Sequence, residues 1–136
     1  MISIIAPVFN EEESLEEFNT RTLKVLKDNI TNFEIIYIDD GSKDKSLDII
    51  KRASAENHEV KFISFYRNFG QHAAILAGFK YATGDYIITL DTDLQNPPEE
   101  ILKFLEYAND NYDVVAGKRI KRKDSILRKF FSNLMN

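Results

Sequence analysis

The run Leu90-Asp91-Thr92-Asp93-Leu94-Gln95 puts two carboxylates one residue apart at the end of an apolar stretch. Leaving a buried strand at that spacing, they form a small oxygen cage that can share a hard divalent ion with a diphosphate. The ion would offset charge on a departing leaving group as a Lewis acid. Acids after strands are also common turn formers, so the pattern is weighed with its neighbours. A second acidic run, Asp39-Asp40-Gly41-Ser42, ends another apolar stretch. One of its carboxylates can accept a hydrogen bond from a base or ribose, as acids do in dinucleotide folds; the residues alone leave open which. Ser42 or Asp44 is a good cap for the helix that follows. Pro7-Val8-Phe9-Asn10-Glu11 reads as a kinked strand exit carrying an aromatic ring that can stack on a base. Arg67-Asn68-Phe69-Gly70-Gln71 opens a helix whose free N–H groups suit an anion. Lys118, Arg119, Lys121 and Arg122 form a basic run, in which the arginines can clamp phosphate bidentately.

The elements that must position these groups follow from the apolar pattern. Short β-rich runs at 2–8, 33–38, 60–65, 85–90 and 112–116 alternate with helical periodicity at 14–29, 43–56, 71–82, 99–109 and 124–134. The third helix is rich in small residues (Ala73, Ala74, Ala77, Gly78) and can pack very close to a sheet. Strands this apolar have no face to give to water, so the order predicts an α/β fold: a Rossmann-like, mostly parallel sheet covered by helices on both faces. Ligands of such sheets lie beyond the carboxyl ends of the strands. The polar groups after each strand therefore converge on one crevice.

Composition narrows the chemistry. With 136 residues, 43% hydrophobic and 29% charged, the chain has the balance of one globular domain spanning 1–136. It has no cysteine, which excludes disulfides and thiolate metal sites. The two histidines, His58 and His72, lack ligand spacing, so any metal is held by oxygen: magnesium, manganese or calcium. The N-terminal apolar run ends at Pro7 and has no basic leader, unlike a signal peptide. No window reaches the roughly 20 apolar residues of a membrane-spanning helix, and the chain by itself reads as a cytoplasmic type. The net charge of −4 hides an asymmetry, with seven Lys/Arg and one acid from Gly117 onward. A basic end on an acidic body points to an anionic partner, a phosphate or a lipid surface.

Taken together, Phe9-Asn10-Glu11, the Asp-Asp-Gly-Ser run, Arg67 to Gln71, the Ala77–Asp85 run and Leu90–Glu100 resemble the family 2 glycosyltransferases, in order and at normal spacing. Within them the chain looks most like the polyprenyl-phosphate glycosyltransferases; residues 70–75 and 94–101 are close to the undecaprenyl-phosphate aminoarabinose branch. The resemblance implies the GT-A fold and inverting transfer of a sugar from a nucleoside-diphosphate (UDP- or GDP-linked) sugar to a polyprenyl phosphate, undecaprenyl phosphate in particular, in cell-envelope biosynthesis. It implies that Pro7, Phe9 and Glu11 border the base and that Asp40, with Asp39 beside it, hydrogen-bonds it. Asn68 and Gln71 join the nucleotide-binding candidates. Asp91, Asp93 and Gln95 would hold Mg²⁺ or Mn²⁺, and Arg119 and Arg122 match phosphate-contacting positions. Phe9 stands where the family has tyrosine, which keeps stacking and loses a hydroxyl.

The same resemblance implies that acceptor-binding and membrane portions lie beyond residue 136, with the whole protein at the inner face of a membrane and the isolated chain a poor catalyst. A sugar hydroxyl is the alternative acceptor, and it would require a base that no residue here supplies. The aromatic-rich last helix is expected to serve as core or as a dimer contact; no nucleic acid is expected as a partner. A receiver-like signalling domain is the non-enzymatic alternative. It would need its acidic pair after the first strand, where Phe9-Asn10-Glu11 stand, and a phosphorylatable Asp after the third, where Tyr66-Arg67 stand. A pyrophosphorylase would need a Gly-rich loop after the first strand, and none is present.

Overall fold

The computed structural model describes residues 1–108 and 112–117. The chain divides into two compact units, Met1–Leu102 and Lys103–Asn136. The first holds a four-stranded sheet with the order β3-β2-β1-β4. Its strands are β1 (Ile2–Val8), β2 (Phe33–Asp39), β3 (Val60–Ser64) and β4 (Tyr86–Thr89), and every pairing is parallel. β1 and β2 are the central pair, in a register that sets Ile4 beside Ile35 and Ile5 beside Ile36. Both of their faces are covered, which is why their sequences run almost continuously apolar instead of alternating.

Helices α1 (Leu15–Asn29), α2 (Ser46–Glu56) and α3 (Gln71–Tyr81) supply the crossovers. α1 buries Leu15, Phe18, Thr22, Leu23 and Leu26. Phe18 meets the ring of Tyr37 edge-on at 6.3 Å, and the Tyr37 hydroxyl donates to Asn19 Oδ1 at 3.0 Å. Neighbouring residues on β2 point the other way, where Ile36 and Ile38 join Ile5 and Ala74 of α3 in a buried cluster. α1 and α3 therefore lie on opposite faces. The small-residue helix packs as its composition requires: a Cβ on Gly78 would collide with Ile5 Cγ2 and stand 3.0 Å from Ile38 Cδ1. A 3-10 turn (Pro98–Glu100) leads into α4 (Ile101–Ala108).

Three expectations need revision. The helix predicted from residue 43 begins at Ser46; Asp44 Oδ1 accepts the Ser46 N–H at 2.9 Å, while Asp44 Oδ2 and Ser42 Oγ accept N–H groups of the loop after β1. The helix predicted from residue 99 opens with the 3-10 turn. Residues 112–117 are not a strand; Val114 and Val115 have the propensity, but a strand also needs a ladder partner. The predicted last helix and the basic run with Arg119 and Arg122 lie outside the described residues.

Candidate functional site

β1, β2 and β3 step outward to one side, and the chain then returns to place β4 on the other side of β1. The strand order reverses between β1 and β4, the place where open α/β sheets bind ligands. A cavity of about 360 Å³ lies there, lined by Pro7, Val8, Phe9, Glu11, Asp40, Asn68, Gln71, Asp91, Thr92 and Asp93. The exits of four strands thus meet over one pocket, with Asp40 and Asp93 on the same rim of the sheet. Phe9 remains 43% exposed, so its ring is available to stack on a planar ligand. Val8 and the buried Thr92 complete the wall; nothing in the sequence set them apart from ordinary core residues.

The two acids after β2 have different surroundings. Asp39 is buried and is not among the lining residues; Oδ1 accepts the Ser42 N–H at 3.1 Å and Oδ2 the Ser64 hydroxyl at 2.9 Å. Asp40 lines the cavity, and its oxygens accept the N–H groups of Phe69 at 2.7 Å and Gly70 at 2.9 Å. Each of these oxygens has a second lone pair for a ligand. Arg67 packs its guanidinium over the rings of Phe69 and Tyr66, 4.6 and 5.6 Å from their centroids.

The loop after β1 is fastened to the loop after β2. Asn10 adopts a left-handed φ of 55°, a conformation its side chain tolerates better than most. Its Oδ1 accepts the Lys43 N–H at 2.8 Å, and its own N–H donates to Ser42 Oγ at 3.1 Å. Glu11 N–H donates to Ser46 Oγ at 2.8 Å, and Glu12 and Lys45 complete the zipper. Its only sequence signal is a density of Asn, Ser and Asp in two loops far apart in the chain.

After β4, Asp91 Oδ1 accepts a hydrogen bond from Gln71 Nε2 at 2.9 Å, and Asp93 Oδ1 accepts the Gln95 N–H at 2.9 Å. Gln95 itself is not a lining residue. Between them Leu94 holds φ at 59°; for a bulky non-glycine side chain that is strain, of a kind that clusters at ligand sites. Burial pushes the Glu11 carboxyl above its usual range; Asp93, Asp44 and Asp91 push it the same way, and the Ser14 hydroxyl partly opposes them. The cavity therefore carries concentrated negative charge, with no lysine or arginine among its described lining residues.

An anionic ligand needs a cation to enter such a pocket. The described residues contain no cluster of three acidic, histidine or cysteine side chains that would cage a metal alone. A two-carboxylate donor set suits an ion whose remaining ligands are phosphate oxygens and water, as Mg²⁺ and Mn²⁺ prefer. In that sense the residues fit such an ion.

Among solved structures, the chain is similar to a mannosyltransferase from Pyrobaculum calidifontis, described in complex with GDP-Man and Mn²⁺. The TM-score is 0.68 at 20% identity, covering 98% of this chain and 38% of that one. It is also similar to S. aureus TarS, with a TM-score of 0.63 at 22% identity, covering 89% of this chain and 38% of that one. The fold is the GT-A type of parallel α/β domain. Residues 3–135 match the model described as Glycosyl transferase family 2, and the chain belongs to that family. It is 49% identical over 136 residues to the undecaprenyl-phosphate 4-deoxy-4-formamido-L-arabinose transferase of Pseudomonas fluorescens, spanning 99% of this chain and 40% of that protein. The transferase of the same name from Photorhabdus laumondii is 47% identical over 137 residues, spanning 99% and 42%. The chain thus spans about two fifths of the length of these relatives.

Proposed function

We propose that this chain is the donor-binding part of an inverting, metal-dependent glycosyltransferase that transfers a sugar from a nucleoside-diphosphate sugar to a polyprenyl phosphate, undecaprenyl phosphate in particular. The observation that carries this reading is the meeting of Phe9, Asp40, Asp91 and Asp93 in one cavity at the β1/β4 reversal. The names of the 47–49% identical relatives support the lipid-phosphate acceptor, and a lipid-borne acceptor places the reaction at the surface of a membrane. No helix among the described residues is long and apolar enough to cross one.

The parts divide as follows. Phe9 and Pro7 border the base, and Asp40 accepts a hydrogen bond from it. Asp91 and Asp93 hold Mg²⁺ or Mn²⁺, which when bound offsets charge on the diphosphate. Gln95 supports Asp93 through its backbone. Arg119 and Arg122 meet the phosphates. A phosphate acceptor is largely ionised near neutral pH, its second pKa being about 6, so no strong general base is needed. What the protein contributes is in-line positioning and electrostatic stabilisation.

Calorimetric titration with UDP-, GDP- and CMP-linked sugars, with and without Mn²⁺, tests this. One nucleotide class is expected to bind, more tightly with the ion. Asp93→Ala is expected to remove the metal-dependent part and leave a folded protein. A folded chain indifferent to every nucleotide and to the ion would overturn the reading.

A further inference from the structure

We propose that Gln71 is a positioning residue that aligns Asp91 for the cation and couples the base side of the cavity to its metal side. This rests on the functional reading above. The contact is chemically unambiguous: a carboxylate can only accept, so the side chain facing Asp91 Oδ1 at 2.9 Å presents its amide N–H₂. Gln71 is the first residue of α3. The preceding residue, Gly70, holds φ at 94°, and its N–H is gripped by Asp40 at 2.9 Å. The backbone group anchored by the base-binding candidate and the side chain holding the metal-binding candidate therefore belong to adjacent residues.

The linkage has little slack. A Cβ on Gly41, next to Asp40, would lie 2.7 Å from Arg67 Cα and 2.8 Å from Asn68 N, so the turn after β2 and the loop before α3 are in backbone contact. A shift of Asp40 on engaging a base would pass through Gly70 to Gln71, and from there to Asp91. The donor is also suited to the task. With Oδ1 held, rotation of the Asp91 carboxylate is restricted. A neutral amide achieves that without adding a charge of its own beside the carboxylate. Partners that orient a metal ligand typically change metal affinity by about 10–100-fold, and an exposed one belongs at the low end.

The test is Mn²⁺ affinity in the presence of saturating UDP or GDP, by paramagnetic resonance, for the native chain, Gln71→Ala and Asp93→Ala. UDP and GDP affinity without metal and the thermal midpoint are measured alongside. Gln71→Ala is expected to weaken Mn²⁺ about tenfold with the midpoint unchanged, and to change metal-free nucleotide affinity by less than that. Native Mn²⁺ affinity in Gln71→Ala, with Asp93→Ala defective, would refute the proposal and spare the wider reading. A weakening matched by a fall in the midpoint also refutes it. A native chain whose nucleotide binding ignores Mn²⁺ refutes both.

Discussion

Arg21 of α1 grips both carboxylate oxygens of Glu99, donating Nε to Oε1 at 3.0 Å and NH2 to Oε2 at 2.7 Å. A third donor, NH1, reaches Glu17 at 3.1 Å. The hydrogen bonds from Arg21 hold the Glu99 carboxyl below its usual range. Glu99 sits in the 3-10 turn that closes the segment begun by Asp91. That segment is thus tied at its start by Gln71 and at its end by Arg21, with the strained Leu94 between.

Cutting the second tie should loosen the segment without unfolding the domain. The pair is solvent-exposed and screened, so its value is geometric and not a large share of stability. Arg21→Ala is expected to raise amide hydrogen exchange across residues 91–100 about threefold to fivefold, with exchange in β1 and β2 unchanged. Unaltered protection in that segment would show the fork to be incidental.

Asp39 and Asp40 should respond differently to the same substitutions. Asp39→Ala strands the half-buried Ser42 N–H and the Ser64 hydroxyl, at a cost of about 1–3 kcal/mol in urea unfolding. Asp39→Asn should cost about 1 kcal/mol or less, because a hydroxyl can turn to accept from the new amide. Asp40→Asn has no such escape, since both its partners are backbone N–H groups. It should cost about 1–3 kcal/mol and also weaken nucleotide binding. Equal effects of the two asparagine variants on both readouts would contradict this division.

Gly41 should accept no side chain. Its φ is 71°, and the space where a Cβ would go is taken by backbone of Arg67 and Asn68. Alanine is expected to cost about 2 kcal/mol or more, from left-handed strain plus collision. Asparagine, which tolerates that φ, meets the same backbone and should be no better. If asparagine restores the midpoint, the collision is not what demands glycine.

How much of this could be read from the sequence depended on distance along the chain. β1 and β2 were legible because strands buried on both faces have nearly continuous apolar sequences. The convergence of Phe9, Asp40 and Asp93 followed from parallel topology alone, since the carboxyl ends of parallel strands share one edge. The choice between Asp39 and Asp40 did not follow: one step along a strand reverses a side chain, and both residues are acidic. Gln71 on Asp91, Arg21 on Glu99 and the Asn10–Ser42 zipper join residues 20 to 78 positions apart. No local pattern encodes such contacts. The run at 112–116 failed for a related reason, because propensity is local and a ladder partner is not.

The opposite edge of the sheet carries a charge that should govern stability in acid. Glu34 is buried where the strands begin. Its Oε1 accepts from the Ser3 hydroxyl at 2.6 Å, the Thr83 N–H at 2.7 Å and the Thr83 hydroxyl at 2.9 Å, while Oε2 accepts from Lys61 at 2.7 Å. Burial alone would raise its pKa, but the bonds from Lys61, Ser3 and Thr83 outweigh burial and hold it at about 2, against 4.5 ordinarily. The folded value lies below the unfolded one, so the unfolded chain takes up the proton first. This contribution is therefore complete above pH 4.5 and fades as pH falls towards 2. Its size is on the order of 3 kcal/mol. In Glu34→Gln one amide hydrogen faces Lys61 or another donor, and the charge is gone. The variant should be less stable than the native chain at pH 7 by roughly 2–3 kcal/mol, and the two urea-unfolding curves should draw together as pH falls from 4.5 towards 2. Nucleotide affinity at pH 7 should be unaffected, because the cavity is at the other end of the strands. A stability gap that is the same at pH 3 as at pH 7 would mean that the glutamine variant suffers from packing, and that the Glu34 charge is not what the folded state protects.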